Sequence, residues 1–244
     1  MASLKRRPIG LISSVPSEGE SLVREMKNVR KRVHGHLFFH KGKVLGKDVV
    51  YAVSGIGKTN AAHATALLVQ KYSPSVIINF GVGGAYPGNG LNVGDIAVAA
   101  KEIYADEGVL LKDGFHPLNL IGIPLLRKPR KRLFNEFPLD RRLSEAMLSS
   151  AGHIAHTKPG IFNTVSLCTG TSKRAQELGE RFNAICESME GAAIIHLCNL
   201  YGIPCAEVRG ISNIVEDRDI AKWDIKLAAE NCQKTVIDFL GSLD

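Results

Sequence analysis

Two glutamates and one asparagine stand at the ends of apolar segments, where a folded chain can present polar side chains to a substrate. Glu18 follows "PIGLI", Glu190 opens the helical pattern after "ESM", and Asn213 ends "EVRGISN". An acid in the first turn of a helix can simply stabilise the helix dipole, and an asparagine after a strand can form a turn. In a binding site, Glu190 would accept hydrogen bonds from substrate hydroxyls. Asn213 would donate and accept but could not release a proton.

Two glycine-rich segments allow the backbone to approach a ligand closely. The segment "VSGIGKTNAA" (53–62) resembles the end of a phosphate-binding P-loop, but that motif needs a glycine where this chain has Ala52. A nucleoside-triphosphatase is therefore excluded, and a sharp strand-to-helix turn is predicted. The segment "INFGVGGAYPGNGLNVGDI" (78–96) follows an apolar strand and either packs tightly or lines a ligand.

The elements that must position these residues alternate between strand-like and helix-like patterns. Runs rich in valine and isoleucine predict strands at 8–12, 48–54, 75–80, 95–100, 160–168 and 204–212. Apolar residues at helical spacing predict helices at 17–30, 58–72, 139–150, 172–182, 190–201 and 222–240. This alternation predicts a three-layer α/β/α fold with a central mixed, mostly parallel sheet. Its binding site is expected at the carboxyl ends of the strands.

With 244 residues and 45% hydrophobic content, the chain is long enough for one domain spanning residues 1–244. We expect disorder at 1–7 and an irregular excursion at 101–138, which contains four prolines. The apolar patch near the amino end is too short for a secretory signal, and no segment reaches the roughly 18 apolar residues of a membrane span. We therefore expect a cytoplasmic protein without a membrane partner.

The net charge of +7 and the run "RKPRKR" (127–132) suggest nucleic-acid binding at first. The run lacks interleaved aromatic residues, so a solvated loop is favoured and no nucleic-acid partner is expected. The five cysteines form no CxxC pair and no Cys/His cluster at metal-ligand spacing. We predict mostly buried, reduced thiols without a catalytic role, and no metal site.

Five segments in order resemble the purine nucleoside phosphorylase and nucleosidase superfamily, and within it the methylthioadenosine/adenosylhomocysteine nucleosidases. They are "IGLI" with Glu18 downstream, "SGIGKTNAA", "VIINFGVGGA" followed by "VGDIAVA", "ESMEGAA" and "VRGISN". The resemblance spans almost the whole chain but is poor at 101–158. Within the superfamily, "ESMEGAA" and "RGISNIVEDRDIAKWD" are similar to segments of the futalosine hydrolases, nucleosidases of the menaquinone pathway.

The resemblance implies a role for each matching residue. Glu18 falls at the position of the glutamate that activates water, Glu190 at that of the ribose-hydroxyl acceptor, and Arg209 beside the nucleophilic water. Ser212 and Asn213 match the pair that handles the purine. The other matches line the pocket and are Gly83, Gly84, Leu167, Cys168, Ser188 and Met189.

Asn213 is where the sequence departs from the adenine-cleaving members, which carry an aspartate that donates to N7 and accepts from the 6-amino group. Hypoxanthine instead offers an acceptor at O6, and its departing form carries a proton on N7. An amide supplies the matching donor and acceptor, whereas a carboxylate would leave polar groups unpaired at about 1–3 kcal/mol. Asn213 therefore favours a 6-oxopurine over adenine.

The implied reaction is hydrolysis of an N-glycosidic bond through an oxocarbenium-like sugar, with Glu18, Glu190 and Asn213 as the catalytic residues. Phosphorylases of the superfamily carry an arginine shortly after the first strand, but this chain has none before Arg24. Water is therefore the expected nucleophile. No metal or organic cofactor is expected, and relatives imply a homodimer or larger homo-oligomer.

Several alternatives stay open. Another purine nucleosidase or phosphorylase would act on inosine-like or methylthioadenosine-like nucleosides, and a non-catalytic protein would bind a nucleoside or use its basic loop for nucleic acid. Trp223 either covers the substrate as part of a lid or is buried in the last helix. The sequence does not identify the residue that would bind the carboxylate of futalosine's benzoate tail.

Overall fold

The computed structural model describes residues 7–243, so the disorder expected at 1–7 lies, apart from Arg7, outside the described residues. The strands are β1 (Ile9–Ser13), β2 (Lys27–His34), β3 (Leu37–Val44), β4 (Lys47–Val53), β5 (Val76–Ala85), β6 (Ile96–Tyr104), β7 (Gly108–Leu111), β8 (Gly114–Pro117), β9 (Leu126–Lys128), β10 (Lys131–Leu133), β11 (Glu136–Pro138), β12 (Thr157–Thr164), β13 (Ala184–Ser188) and β14 (Cys205–Ile214). The α-helices are α1 (Glu20–Glu25), α2 (Lys58–Tyr72), α3 (Arg141–Gly152), α4 (Ser172–Phe182), α5 (Gly191–Tyr201) and α6 (Ile225–Ser242).

Ten strands form one mixed sheet in the order β11-β6-β12-β13-β5-β1-β4-β3-β2, with β14 pairing both β5 and β6. Because β14 bridges those two strands, β6, β12, β13, β5 and β14 close into a five-stranded ring. The β14 strand is parallel to β5 and antiparallel to β6. The predicted mixed α/β fold is confirmed, and the ring is an addition that the strand pattern did not indicate.

Both faces of the sheet are buried, which explains why its central strands are apolar at nearly every position. Successive residues of β1 point to opposite faces: Leu11 joins a core built with α1, α3 and α6, and Ile12 joins a core built with α2 and α5. Helices therefore cover the sheet on both sides, as predicted for three layers.

The predicted helix at 17–30 is wrong for most of its length. A 3-10 turn at Pro16–Glu18 precedes the α-helix Glu20–Glu25, and β2 begins at Lys27. β2 carries four basic residues and only two valines, and it is an edge strand exposed along nearly its whole length. Exposed edge strands carry charge for solubility, and this weakens the apolar signal that reveals a strand. The sequence also gave no indication of β3 and β13.

The segment 101–138, expected to be irregular, contains ordered strands. The β6 strand continues to Tyr104, the pairs β7–β8 and β9–β10 form antiparallel hairpins, and β11 returns to pair with β6. The basic run 127–132 forms the exposed hairpin of β9 and β10, in agreement with a solvated segment.

Candidate active site

The carboxyl ends of β1, β5, β13 and β14 meet around a cavity of about 310 Å³. This is the edge where ligands bind in such sheets, and the volume suits a small molecule. Nine of the predicted site residues line it: Glu18, Gly83, Gly84, Cys168, Ser188, Met189, Glu190, Ser212 and Asn213. The structure thus brings together residues that are up to 195 positions apart in the chain.

Glu18 lies in a short 3-10 turn directly after β1, with only 2% of its surface exposed. Its Oε2 accepts hydrogen bonds from the Ser14 N–H at 2.8 Å, the Ser14 hydroxyl at 2.9 Å and the Val15 N–H at 3.0 Å. Its Oε1 accepts from the Val82 N–H at 2.8 Å. Four donors therefore hold the carboxylate in one orientation at the cavity.

Glu190 is the residue that precedes α5, as the sequence predicts, and its side chain is buried. Its Oε1 accepts from the Gly57 N–H at 2.8 Å, which is how the glycine turn after β4 contributes to the site. Burial raises the pKa of Glu190 above its usual value, while the nearby Arg209 opposes that shift. The Glu190 carboxylate can also accept a hydrogen bond from a ligand hydroxyl in the cavity.

Arg209 does not line the cavity but lies behind it, 1% exposed, where its Nε and Nη2 contact Glu207 Oε1 at 2.9 Å each. A Cβ on Gly81 would fall 2.5 Å from Glu18 Oε1 and 2.9 Å from Arg209 Nη1. Glycine is thus required for Glu18 and Arg209 to approach each other. Although burial acts to lower it, the carboxylates of Glu207, Glu190 and Glu18 raise the pKa of Arg209 above its usual value.

Another buried carboxyl group, Glu102, lies close to Glu207. Glu102 Oε2 accepts from the Thr164 hydroxyl at 2.8 Å, and that hydroxyl accepts from the Ala192 N–H at 2.7 Å. Burial, reinforced by the charge of Glu207, raises the pKa of Glu102 well above its usual value. Glu102 therefore favours its protonated form, while Glu207 lies against the Arg209 guanidinium.

A β-bulge aims the last residues of β14 into the cavity. Ile211 pairs with Gly83 and Asn213 with Gly84, so Ser212 is the extra residue. The Ser212 hydroxyl lies 2.8 Å from Asn213 Oδ1, and Asn213 Nδ2 donates to the Ile214 carbonyl at 3.1 Å. One amide hydrogen and one oxygen lone pair of Asn213 remain for a ligand.

The opposite wall is formed by the loop after β12 and the end of β13. The Cys168 thiol contacts Met189 Sδ at 3.2 Å, and burial raises the pKa of Cys168, so its thiol is not activated as a nucleophile. Ser188 accepts from the Gly191 N–H at 3.3 Å. The other four cysteines are buried and free, in agreement with the prediction.

Leu167 is a correction, because it is 82% exposed and does not line the cavity. The β12 strand ends at Thr164, and the Ser166 N–H then donates to Asp106, so the chain turns before Leu167 and points it outward. Trp223 does line the cavity: it precedes α6, and the Arg218 guanidinium lies 4.6 Å from its ring centroid. This contradicts burial within the last helix.

Sequence reasoning did not identify Glu187, which is buried and lines the cavity. The alternation of a strand gave no signal for it, because Ser188 was already assigned to the pocket and period 2 places the adjacent Glu187 on the other side. Within residues 7–243, no group of three or more His, Cys, Asp or Glu side chains is arranged to hold a metal ion. None of the described helices combines the length and apolar character that a membrane crossing needs.

A sequence profile of the phosphorylase superfamily matches residues 8–241. The chain belongs to this superfamily. The futalosine hydrolase of Thermus thermophilus is 37% identical over 191 residues, which cover 78% of this chain and 80% of that protein. A 5'-methylthioadenosine/S-adenosylhomocysteine nucleosidase of Halalkalibacterium halodurans is 28% identical over 238 residues, covering 96% and 98%.

Solved structures of the phosphorylase superfamily have the same fold. The 5'-methylthioadenosine/S-adenosylhomocysteine nucleosidase of Neisseria meningitidis, in complex with methylthio-immucillin-A, superimposes with a TM-score of 0.85 at 28% identity, covering 97% of this chain and all of that one. Together with its relatives, this member of the superfamily is a nucleosidase, an enzyme that hydrolyses N-glycosidic bonds.

Proposed function

We propose that the enzyme hydrolyses futalosine and releases hypoxanthine and dehypoxanthine futalosine, a reaction of menaquinone biosynthesis. The observation that carries this proposal is Asn213, an amide at the end of β14 in the cavity that the buried Glu18 and Glu190 also line. The similarity to the Thermus thermophilus futalosine hydrolase supports it.

Asn213 supplies the hydrogen bonds that a departing 6-oxopurine needs. Its free amide hydrogen donates to O6, and the remaining lone pair of Oδ1 accepts from the proton on N7. Because an amide cannot act as the acid, that N7 proton comes from solvent. Ser212 keeps the amide in this orientation through its contact with Oδ1.

The two glutamates act on the sugar and the water. Glu190 accepts from the 2′ and 3′ hydroxyls, and its negative charge stabilises the positive charge that develops on ribose. Glu18 accepts a proton from the water that attacks the anomeric carbon, a form of general-base assistance that contributes about 10²- to 10⁴-fold in rate. Arg209 acts from behind, since its charge lies next to Glu18 and fixes that carboxylate at the cavity.

Water is proposed as the nucleophile, because the residues after β1 provide no cation at the cavity. Arg24 is the first arginine after this strand, and it is exposed and paired with Glu20 at 3.5 Å. It does not line the cavity. Hydrolysis is therefore expected to proceed at the same rate with and without phosphate.

The second candidate is cleavage of methylthioadenosine or adenosylhomocysteine, which the nucleosidase relatives with nearly full coverage favour. Pure enzyme would be incubated with futalosine, inosine and methylthioadenosine, and base release followed by chromatography with and without phosphate. We expect hypoxanthine from futalosine at the highest kcat/KM. Faster release of adenine, or a rate that depends on phosphate, would overturn the proposal. Salt-sensitive polynucleotide binding without base release would favour the nucleic-acid-binding alternative.

We also propose a homodimer. Exposed apolar side chains, including Ile56 at the cavity, Leu110 and Ile123, are of the kind that another subunit covers. Light scattering of the purified enzyme tests this, and a monomer at all concentrations would contradict it. The cytoplasmic location stays a prediction.

A further inference from the structure

Glu187 is a buried carboxylate at the cavity to which the proposed mechanism assigns no role. Its Oε2 accepts from the Thr169 hydroxyl at 2.6 Å and from the Tyr86 hydroxyl at 2.9 Å. Tyr86 is committed as a donor, because its oxygen accepts from Asn163 Nδ2 at 3.1 Å. Among residues 7–243, Glu187 Oε1 accepts from the Thr169 N–H alone, at 2.9 Å. A carboxylate oxygen can accept two hydrogen bonds, so Oε1 retains one free position.

Strand register places Glu187 opposite Asn213. Gly84 of β5 pairs with Glu187 on one side and with Asn213 on the other. Paired residues in a sheet point to the same face. The face is identified by Gly84, since a Cβ there would lie 3.2 Å from Asn213 Nδ2. Glu187 and Asn213 therefore project on the same side of β5, with a glycine between them.

Glu187 and Asn213 form the two sides of a slot over Gly84, and the spacing between strands sets its width. Neighbouring strands lie about 4.8 Å apart, so the backbones of β13 and β14 are separated by two such spacings. Gly84 has no side chain to fill the space between them, and the three residues all line the cavity. A flat ring lying over Gly84 meets an amide at one edge and a carboxylate at the other.

We propose that Glu187 is a specificity-determining residue that accepts a hydrogen bond from N1–H of a 6-oxopurine base. The inference rests on the proposed function only in placing the base over Gly84. Hypoxanthine carries a proton on N1, which Glu187 Oε1 can accept. Adenine presents an unprotonated N1, whose lone pair would face the carboxylate without a hydrogen between them. Asn213 and Glu187 thus read adjacent positions of the same ring, and both disfavour adenine.

A purely structural role is the competing explanation, because Glu187 also anchors the loop that contains Thr169. Two variants separate the explanations. Glu187→Gln keeps one oxygen for Tyr86 and the Thr169 hydroxyl and turns an NH2 toward the base and the Thr169 N–H, so that backbone hydrogen bond is lost as well. Thr169→Val removes the hydrogen bond from its hydroxyl to Glu187 and leaves the carboxylate in place. The measured quantity is the ratio of kcat/KM for two nucleosides that differ only in having a 6-oxo or a 6-amino purine.

We expect Glu187→Gln to lower the preference for the 6-oxo nucleoside by about 10- to 100-fold, as expected for one buried hydrogen bond replaced by a mismatch. Thr169→Val should lower both rates together and leave the ratio unchanged. If Glu187→Gln also leaves the ratio unchanged, or if Thr169→Val changes it as much, the specificity role is wrong.

Binding of free bases provides a measurement that does not depend on turnover. Calorimetry with hypoxanthine, 1-methylhypoxanthine and adenine should show that the wild type binds hypoxanthine at least about tenfold more tightly than the other two. In Glu187→Gln the preference for hypoxanthine over adenine should fall. Equal binding of hypoxanthine and 1-methylhypoxanthine by the wild type would overturn the inference. Should no nucleoside be cleaved, the proposed function is wrong, and these affinities still decide the role of Glu187.

Discussion

Glu18→Gln is the most direct test of the proposed general base. The carboxylate accepts from three donors on Oε2 and from the Val82 N–H on Oε1. An amide has only one oxygen, so glutamine satisfies one set and turns its NH2 toward the other. The orientation of lower cost keeps the oxygen toward Ser14 and Val15 and leaves the Val82 N–H unpaired.

The structure gives two separable magnitudes for this variant. One unpaired buried donor costs about 1–3 kcal/mol in the free energy of unfolding. For a chain of this length, each kcal/mol lowers the Tm by about 2–4 °C, so the variant should melt several degrees lower but remain folded. Loss of the base should lower kcat by about 10²- to 10⁴-fold. The loss of stability affects kcat only through the folded fraction.

The assay measures hypoxanthine release from futalosine well below the melting temperature of the variant, alongside a thermal melt. Glu20→Gln is the matched control, because Glu20 is two residues away, is exposed and pairs only with the exposed Arg24. It should retain wild-type kcat and Tm. A folded Glu18→Gln enzyme with wild-type kcat would refute the general-base role, and an unchanged Tm would refute the hydrogen-bond reasoning.

Three further predictions follow from the same contacts. Asn213→Asp should raise the kcat/KM ratio of adenine over hypoxanthine nucleosides by about 10- to 100-fold, measured by base release, and an unchanged ratio would contradict the edge matching. Glu102→Gln places an uncharged group where the protonated carboxyl lies. Because the pKa of Glu102 is raised in the folded state, its contribution to stability is fully present below its usual pKa of 4.5 and is lost as pH rises through the raised value. Urea unfolding measured at several pH values should therefore show the free energy of unfolding of the variant rising relative to that of the wild type above pH 4.5, by up to about 1.4 kcal/mol per pH unit. Parallel pH profiles of the two proteins would contradict this. Glu207→Gln should instead destabilise the protein by about 3–5 kcal/mol at pH 7, since Arg209 loses its charged partner; a loss below the measurement error of the same urea curves would show that the pair contributes nothing.

The clustering of the site could be predicted from sequence because it depends on topology alone. Glu18 follows β1 and Asn213 lies at the end of β14, and both strands run parallel to β5, so their carboxyl ends share one edge of the sheet. The helix α2 could also be predicted, since its apolar spacing continues from a glycine turn to Tyr72. Neither prediction required knowledge of which side of a strand each residue faces.

The parts that could not be predicted depend on which way individual side chains point. A bulge at Ser212 shifts the register of β14 by one residue, and no sequence pattern reveals that shift. It is why Arg209 lies behind the cavity while Asn213 points into it. Leu167 is directed outward by a turn after β12, and Glu187 is directed inward by pairing with Gly84, a partner 103 positions away in the chain.

The closed ring affects where the enzyme can open locally. Arg209 and Gly210 are bonded on both sides, to β5 and to β6, so this stretch has no free edge from which to fray. Local opening of a protein proceeds through its weakly held parts. The catalytic strand should therefore exchange its amide protons only when the whole molecule unfolds, while the surface hairpins at 108–117 and 126–133 exchange by small local motions.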